Sequence, residues 1–220
     1  MVPHSAYCQR RASERPDDKM PDLIHEAGLA GADEAGRGAL AGPVVVAAAV
    51  LPPEFDARGL DDSKKLTRDL REHEAERIRE LAEWSLVVVG HEVVDRRNVL
   101  RASLDGMAEA LRGLRCAFLR AVVDGDWLPP YTDAPVEAVV KGDGKYACIA
   151  AASILAKTER DRIMVEYGLE FPAYGFELHF GYGTAEHMAA LREHGPCSIH
   201  RRTFYPVSEM VNQPCLIFDK

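Results

Sequence analysis

Four acidic side chains stand where predicted strands end, which is where a folded sheet can bring distant residues together. Asp33 and Glu34 precede the glycine-rich turn Gly36-Arg37-Gly38, Asp124 follows an Ala-Val-Val segment, and Asp143 follows Val-Val-Lys-Gly. A carboxylate buried beside apolar strands costs free energy unless a positive charge compensates it. Hard divalent cations such as Mg²⁺ and Mn²⁺ prefer oxygen ligands of this type. The pattern therefore predicts a divalent metal site made of these four acids.

A second interpretation of the same acids is that each one caps a turn or the helix that follows it, as Asp often does. Geometry also sets a condition on the metal interpretation. Neighbouring residues on a strand point to opposite faces of the sheet. Asp33 and Glu34 can therefore share a site only if the strand ends there, which the turn at Gly36 would permit.

The elements that must position these acids are predicted from hydrophobic patterns. A first strand begins near Leu29, and four more are predicted at 43–51, 84–90, 120–123 and 136–140. The last two are continuous apolar runs, which are typical of strands buried on both faces. Helices are predicted at 67–83, 98–114, 148–167 and 184–194. Strands followed by strand–helix alternation and a helical end favour an α/β fold with a C-terminal helical segment.

Composition narrows the class of protein. The chain has 220 residues, of which 47% are apolar and 28% charged, and its formal net charge is −8. These values exclude a fibre or a disordered chain and argue against nucleic-acid binding by bulk charge alone, although local basic patches stay possible. The longest apolar run, 40–51, is shorter than the roughly 18 residues of a membrane span. We expect no membrane partner and no secretory signal.

Cysteine usage points to the compartment. The five cysteines are scattered and include no Cys-x-x-Cys pair. A disulfide framework or a structural zinc site is therefore not expected, and a cytoplasmic location fits best.

Eight sequence blocks resemble those of bacterial ribonuclease HII, and they occur in that family's order from about residue 29 to residue 207. They are Gly-Ala-Asp-Glu-Ala-Gly-Arg-Gly-Ala-Leu-Ala-Gly-Pro-Val-Val at 31–45, Leu-Asp-Asp-Ser-Lys-Lys-Leu at 60–66, Val-Val-Asp-Gly at 122–125, Val-Val-Lys-Gly-Asp at 139–143, Ala-Ser-Ile-Leu-Ala-Lys at 152–157, Tyr-Gly-Phe at 174–176, His-Phe-Gly-Tyr at 179–182 and His-Arg-Arg-Thr-Phe at 200–204. A lone Asp-Glu pair would be weak evidence, but this ordered series is specific.

The resemblance implies an RNase H-like fold, with a mixed five-stranded sheet flanked by helices and a C-terminal helical segment. Residues 1–24 are polar and show no hydrophobic periodicity, so they are expected to form a disordered tail. The resemblance implies a catalytic domain over 25–165, a helical segment completing the substrate site over 166–207, and a C-terminal tail over 208–220. The implied activity is hydrolysis of the RNA strand in RNA–DNA hybrids and incision 5′ of single ribonucleotides in duplex DNA. Such an enzyme serves ribonucleotide excision repair and leaves 3′-hydroxyl and 5′-phosphate ends.

The resemblance also assigns residues. The four acids would hold two Mg²⁺ or Mn²⁺ ions, the Gly36-Arg37-Gly38 turn would sense the ribose 2′-hydroxyl, and Tyr182 would stack on the neighbouring sugar. The full set of substrate-binding residues is Gly36, Arg37, Gly38, Ser63, Lys64, Lys65, Ser153, Lys157, Tyr182 and Arg201. For the serines and lysines an ordinary helix start or a surface pair is an open alternative, and Arg201 could instead close the C-terminal segment.

Two positions depart from the family pattern. Ala39 stands where proline is usual, which would make the sensing turn less rigid. Phe180 stands where lysine is common, which would remove one phosphate contact. Both departures bear on substrate preference more than on activity.

Two basic or aromatic features have open roles. Arg97, Arg101, Arg112 and Arg115 are predicted to share one helix face, which would suit a duplex backbone or simply face solvent. The two tryptophans, Trp84 and Trp127, are expected to pack in the core or in turns.

Rival functions are a type HIII ribonuclease, a non-catalytic nucleic-acid-binding module and a generic metal-dependent phosphatase. An HIII enzyme would carry a further N-terminal domain, and only about 28 residues precede the first block. A binding module would have lost one of the four acids, and all four are present. A phosphatase would not need the glycine turn. The tail at 212–218 loosely resembles peptides that dock on sliding clamps, although such residues could equally fold back onto the domain.

Overall fold

A mixed five-stranded sheet forms the centre of the molecule, as the sequence predicted. The computed structural model describes residues 22–61, 63, 65–131 and 133–212. The strands are β1 (Leu29–Ala35), β2 (Val44–Val50), β3 (Glu83–Val89), β4 (Arg120–Asp124) and β5 (Val136–Val139), in the order β3-β2-β1-β4-β5. The first three strands are antiparallel neighbours, whereas β4 runs parallel to β1 and β5 runs parallel to β4.

Seven α-helices accompany the sheet in the described residues. They are α1 (Arg68–Leu81), α2 (His91–Arg97), α3 (Val99–Gly113), α4 (Ala147–Glu170), α5 (Phe176–His179), α6 (Ala185–His194) and α7 (Val207–Asn212). Thr184 caps α6, because its hydroxyl oxygen accepts a hydrogen bond from the His187 amide. No helix in this part of the chain is both long and apolar enough to cross a membrane.

The sheet is covered on both faces, because β2 is apolar at every position. Val44, Val46 and Ala48 pack on the side of α3, while Val45, Ala47 and Ala49 pack on the side of α1 and α4. A third apolar core lies around the C-terminal helices and reaches back to Leu40 and Ala41. This third core joins the C-terminal segment to the connection between β1 and β2.

Two predictions about elements need correction. β5 is an edge strand with Glu137 exposed, so it is not buried on both faces. Arg97 ends α2 and Arg115 follows α3, so the four arginines do not share one helix. Asn98 separates α2 from α3 because its φ of 62° breaks the helical path.

The two chain ends differ from the predicted tails where they are described. Ile24 is paired with Tyr146, and its amide donates to the Lys145 carbonyl at 2.8 Å, so the predicted N-terminal tail includes an attached residue. At the other end, helix α7 extends to Asn212. Residues 1–21 and 213–220, and with them most of the predicted clamp-binding peptide, lie outside the described residues.

Candidate active site

The four predicted acids line one cleft of about 550 Å³ at the end of β1 and β4. Pairing of Ala32 with Val123 places Asp33 and Asp124 side by side on the parallel strands β1 and β4. Asp143 lies in a short 3₁₀ turn after β5, and that turn is held against β4 because the Gly142 amide donates to Asp124 Oδ1 at 2.7 Å. The parallel register and this one hydrogen bond bring together acids that are far apart in sequence.

Asp33 and Glu34 reach the cleft from opposite faces of the sheet. Asp33 is opposite Ala47, which packs on the α4 side, and Glu34 is opposite Val46, which packs on the α3 side. The strand continues to Ala35, one residue further than predicted, and both acids nevertheless line the cleft because it lies at the strand end. The condition set by strand geometry is met in this way.

The negative charges of Asp33 and Glu34 are only partly balanced by nearby positive groups. Burial raises the pKa of Asp33 well above its usual value, and the neighbouring Glu34 and Asp124 raise it further. Burial also raises the pKa of Glu34, against the opposing effect of Arg37. Arg37 Nη1 lies 3.1 Å from Glu34 Oε1, whereas the other oxygen, Oε2, is buried without a hydrogen-bond partner among the described residues. Such carboxylates favour a cation at the site.

The donor set fits a hard divalent cation, since all four candidate ligands are carboxylates. Among the described residues, no group donates a hydrogen bond to one carboxylate oxygen, Glu34 Oε2, which leaves it available for a cation. Within the described ranges, no three His, Cys, Asp or Glu side chains converge closely enough to form a ready-made metal cage. The acids therefore surround a cleft rather than a single point.

Glycine occupies the two positions of the predicted sensing turn for different structural reasons. Gly36 has a φ of +97°, and a Cβ at this position would collide with the side chain of Arg160. Gly38 has neither constraint, because a Cβ there would meet no heavy atom within 4 Å, yet it lines the cleft. Internal packing explains the glycine at 36 but not the one at 38.

Arg201 does not line the cleft as the sequence predicted. It is fully buried, and its guanidinium donates to the carbonyl oxygens of Gly36, Arg37, Gly42 and Pro43 at 2.8–3.1 Å. Burial and the nearby Arg160 lower the pKa of Arg201 to about 9, which leaves it charged at neutral pH. Its observed contacts support the sensing turn from behind.

Arg160 is a residue that sequence reasoning missed. It is also fully buried, and it donates to the carbonyls of Ala41 and Pro43 and to that of Phe180. It therefore ties the turn between β1 and β2 to the C-terminal segment. In the sequence it resembles the exposed arginines of a charged helix, and only its position three residues after Lys157, on the same helix, gives a signal.

Three of the serines and lysines that were predicted to bind substrate meet at the cleft. Ser63, Ser153 and Lys157 all line it, and the two serine hydroxyls lie 3.0 Å apart. Lys157 Nζ lies 2.6 Å from Asp161 Oδ1, and Arg71 lies 3.1 Å from the other oxygen of Asp161. These contacts hold the Lys157 ammonium at the cleft wall.

The other predicted contacts lie elsewhere. Lys65 does not line the cleft and is paired with Asp61 at 3.0 Å, and Lys64 is outside the described residues. Phe180 stands at the cleft margin, where its ring centroid is 4.8 Å from Lys157 Nζ. Trp127 is 57% exposed and lies in the bend after β4, beside Glu34 and Asp124, so of the two predicted settings, core or turn, it occupies a turn. Trp84 is 37% exposed.

Comparison with solved structures identifies the class of protein. The ribonuclease H2 of Pyrococcus horikoshii superposes with a TM-score of 0.70 at 27% identity, covering 83% of this chain and 96% of that one. The ribonuclease HII of Archaeoglobus fulgidus, solved in a complex with PCNA, gives 0.67 at 30% identity, covering 80% and 94%. Bst-RNase HIII in complex with Mn²⁺ shares the fold, with a TM-score of 0.68 at 18% identity over 92% and 75%. With its acidic cleft, this fold defines a ribonuclease H-type endonuclease.

Sequence comparison then gives the family. The family model of ribonuclease HII matches residues 30–207. A ribonuclease HII of Xanthobacter autotrophicus is 56% identical over 181 residues, which cover 82% of this chain and 72% of the relative. The chain belongs to the ribonuclease HII family, whose members cleave the RNA of RNA–DNA hybrids. The resemblance inferred from the sequence blocks is thereby confirmed.

Proposed function

We propose that this protein, besides cutting RNA in hybrids, incises duplex DNA on the 5′ side of a single embedded ribonucleotide by two-metal-ion hydrolysis. The products would carry 3′-hydroxyl and 5′-phosphate ends. The observation that carries the proposal is that the four acids and the Gly36-Arg37-Gly38 turn line the same cleft. A sensor of the sugar and the groups that hydrolyse the phosphate are therefore next to each other.

Asp33, Glu34, Asp124 and Asp143 would hold Mg²⁺ or Mn²⁺. When bound, a pair of such ions supplies an activated water, charge stabilisation on the phosphate and help for the leaving oxygen. The protein itself provides rigid carboxylates, because two of the acids lie on paired strands and Asp124 is fixed by the Gly142 amide. Two observations support this assignment: Glu34 Oε2 has no hydrogen-bond partner in the part of the chain that the structure describes, and the pKa of Asp33 is raised.

Ribose recognition is assigned to the backbone of the sensing turn. The 2′-hydroxyl distinguishes RNA from DNA at a given position. Gly38 leaves the backbone accessible from the cleft, and Arg160 and Arg201 hold the carbonyls around it in place from the opposite side. A rigid turn of this kind can place an amide against one hydroxyl. Tyr182, which lines the same cleft, would stack on the next sugar.

Phosphate positioning is assigned to Ser63, Ser153 and Lys157, with Arg37 facing the cleft beside Glu34. Lys64 and Lys65 belong to the same predicted block and would act further along the backbone. Lys157 retains its position through Asp161, so its ammonium is available as a fixed positive charge. Contacts of this type position a duplex without reading its sequence.

A sliding-clamp contact is a second proposal, favoured by the archaeal relative that was solved with PCNA. The candidate segment is 212–218, and a weak contact would recruit the enzyme to replicated DNA in the cytoplasm. Deletion of residues 212–220 should abolish capture of the full-length protein on immobilised clamp and leave hybrid cleavage unchanged. Equal capture of both proteins, or none of the full-length chain, would contradict this proposal.

The primary test uses two DNA duplexes that differ by one 2′-hydroxyl, incubated with the protein and Mg²⁺ or Mn²⁺. We expect a single cut, 5′ of the ribonucleotide, in the ribose-containing duplex alone. Cutting of both duplexes would agree with the proposed metal site but would contradict the proposal that the turn senses the ribose 2′-hydroxyl. Cutting of a long hybrid alone would contradict incision at single ribonucleotides and direct attention to Ala39 and Phe180.

A further inference from the structure

Three buried histidines lie behind the cleft, in the third apolar core. His179, His187 and His200, here called the histidine cluster, are all buried, and none of them lines the cleft. The rings of His179 and His187 stack with centroids 4.5 Å apart, and the Nε2 atoms of His187 and His200 are 3.0 Å apart. No carboxylate is hydrogen-bonded or ion-paired to any of the three rings in the part of the chain that the structure describes.

The hydrogen bonds determine which nitrogen of each ring carries the proton. The Cys197 amide donates to His200 Nδ1 at 2.9 Å, so this nitrogen accepts and the proton of neutral His200 resides on Nε2. His200 Nε2 then donates to His187 Nε2, which places the His187 proton on Nδ1. That nitrogen is 2.9 Å from the Tyr182 carbonyl oxygen and donates to it. One consistent set of neutral tautomers therefore runs from Cys197 to Tyr182.

His179 holds the same segment at the preceding residue. The Gly181 amide donates to His179 Nδ1 at 3.2 Å, and His179 Nε2 donates to the Tyr174 carbonyl at 2.7 Å. The peptide that follows Tyr182 is thus bonded to His187 through the Tyr182 carbonyl, and the Phe180–Gly181 peptide, one position before the peptide that precedes Tyr182, is bonded to His179. Burial lowers the pKa of His187, and burial together with His187 lowers that of His200 to about 4, which agrees with neutral rings.

We infer that His187, oriented by His200, is a positioning residue that sets the placement of Tyr182 in the substrate cleft. The inference rests on the proposed function in one respect, namely that Tyr182 contacts the substrate. His187 does not line the cleft, and it acts on the cleft through its hydrogen bond to the carbonyl oxygen of Tyr182. The cluster thereby links the C-terminal core to substrate recognition through two side-chain hydrogen bonds.

The test is a double-mutant cycle on a duplex with one ribonucleotide, with kcat and KM measured for each variant. His187→Leu removes the donor, and we expect kcat/KM to fall about tenfold, mainly through KM. His187→Asn places an amide N–H near the Nδ1 position and should recover most of that loss. In a Tyr182→Ala background, His187→Leu should change kcat/KM less than about twofold. His73→Leu, on the exposed face of α1, is the matched control and should have no effect.

Two results would overturn the inference. One is a tenfold fall in kcat/KM caused by His187→Leu in the Tyr182→Ala background. The other is an equal loss of kcat/KM in His187→Asn and His187→Leu when circular dichroism shows that both variants are folded. If His187→Leu does not fold, His200→Gln replaces it in the same cycle. Nitrogen NMR of the wild-type protein separately tests the tautomers, with Nδ1–H expected in His187 and Nε2–H in His200. The opposite tautomers would contradict the chain of hydrogen bonds from His200 through His187 to Tyr182. A wild-type protein that cuts no substrate would contradict the proposed function, and the NMR result would still test these hydrogen bonds.

Discussion

The acidic cleft and the histidine cluster both bury titratable groups, but they resolve the cost of burial in different ways. In the cleft, Asp33 and Glu34 lie among like charges, and one carboxylate oxygen has no partner in the described chain. In the cluster, both nitrogens of each ring have a hydrogen-bond partner, and one nitrogen of each ring can act as acceptor. The cleft is therefore arranged for a ligand that brings positive charge, whereas the cluster is complete within the protein.

This difference distinguishes the region of the protein that is expected to bind ligands from the region that holds the surrounding backbone in place. We expect cations and substrate to bind where acidic groups remain uncompensated, since perturbed carboxylates concentrate at functional sites. Groups that are satisfied internally hold the surrounding backbone in position. Arg160 joins the two regions, because it binds carbonyls of the β1–β2 connection and of Phe180.

The largest effect is expected from removal of a central carboxylate. Asp124→Asn should lower kcat by a factor of about 10³ or more with the fold retained, because the metal site loses a charged ligand while the amide keeps the shape. Asp69→Asn, an exposed acid on α1, is the control. Activity measured with Mg²⁺ or Mn²⁺ and after EDTA treatment gives the comparison. Near-normal turnover of Asp124→Asn would remove this residue from the metal site.

The two glycines of the sensing turn offer a matched pair. Gly36→Ala should lower the free energy of unfolding by about 2 kcal/mol, because its φ is positive and the new methyl group meets Arg160. Gly38→Ala should leave stability unchanged and weaken ribonucleotide incision about tenfold, because only the substrate approaches there. Urea titration and KM measurements separate the two. Equal stability losses would place Gly38 in internal packing.

The histidine cluster should make stability depend on pH between about 4 and 6.5. The pKa of folded His200 is about 4, below its unfolded value of 6.5. The folded state therefore binds fewer protons in this window, and stability present above pH 6.5 is lost as the pH falls toward 4, by up to roughly 3 kcal/mol. His200→Gln should have a flatter profile than His73→Gln in urea titrations. Parallel profiles would mean that the ring is not held neutral.

The acidic cleft should show a smaller effect of opposite sign. Because the folded pKa of Asp33 is raised, its ionisation destabilises the metal-free protein as the pH rises through that value. Asp33→Asn should therefore be more stable than the wild type at pH 7 without metal, by about 1 kcal/mol. Saturating Mg²⁺ should remove this advantage. A clear loss of stability in Asp33→Asn would support the alternative interpretation of the acids as turn caps.

The sheet could be predicted from the sequence, because apolar runs are local properties, and so could the grouping of the four acids at one place, whereas their role as metal ligands stays a prediction. β1, β2 and α3 were predicted almost to the residue for this reason. The roles of Arg160 and Arg201 could not be predicted, since a buried arginine that binds carbonyls has the same sequence pattern as an exposed one. The edge position of β5 depends on strand order, which hydrophobicity does not encode.

The most direct test of the comparison is calorimetric titration of Mn²⁺ into the metal-free protein, alone and with an RNA–DNA hybrid bearing an uncleavable linkage at the scissile position. We expect Mn²⁺ binding that weakens at least tenfold in Asp124→Asn and is unchanged in His200→Gln, with two ions per chain when the hybrid is present. If Asp124→Asn binds Mn²⁺ as tightly as the wild type, the acids of the cleft are not the groups that bind the cation, which would contradict the proposed metal site.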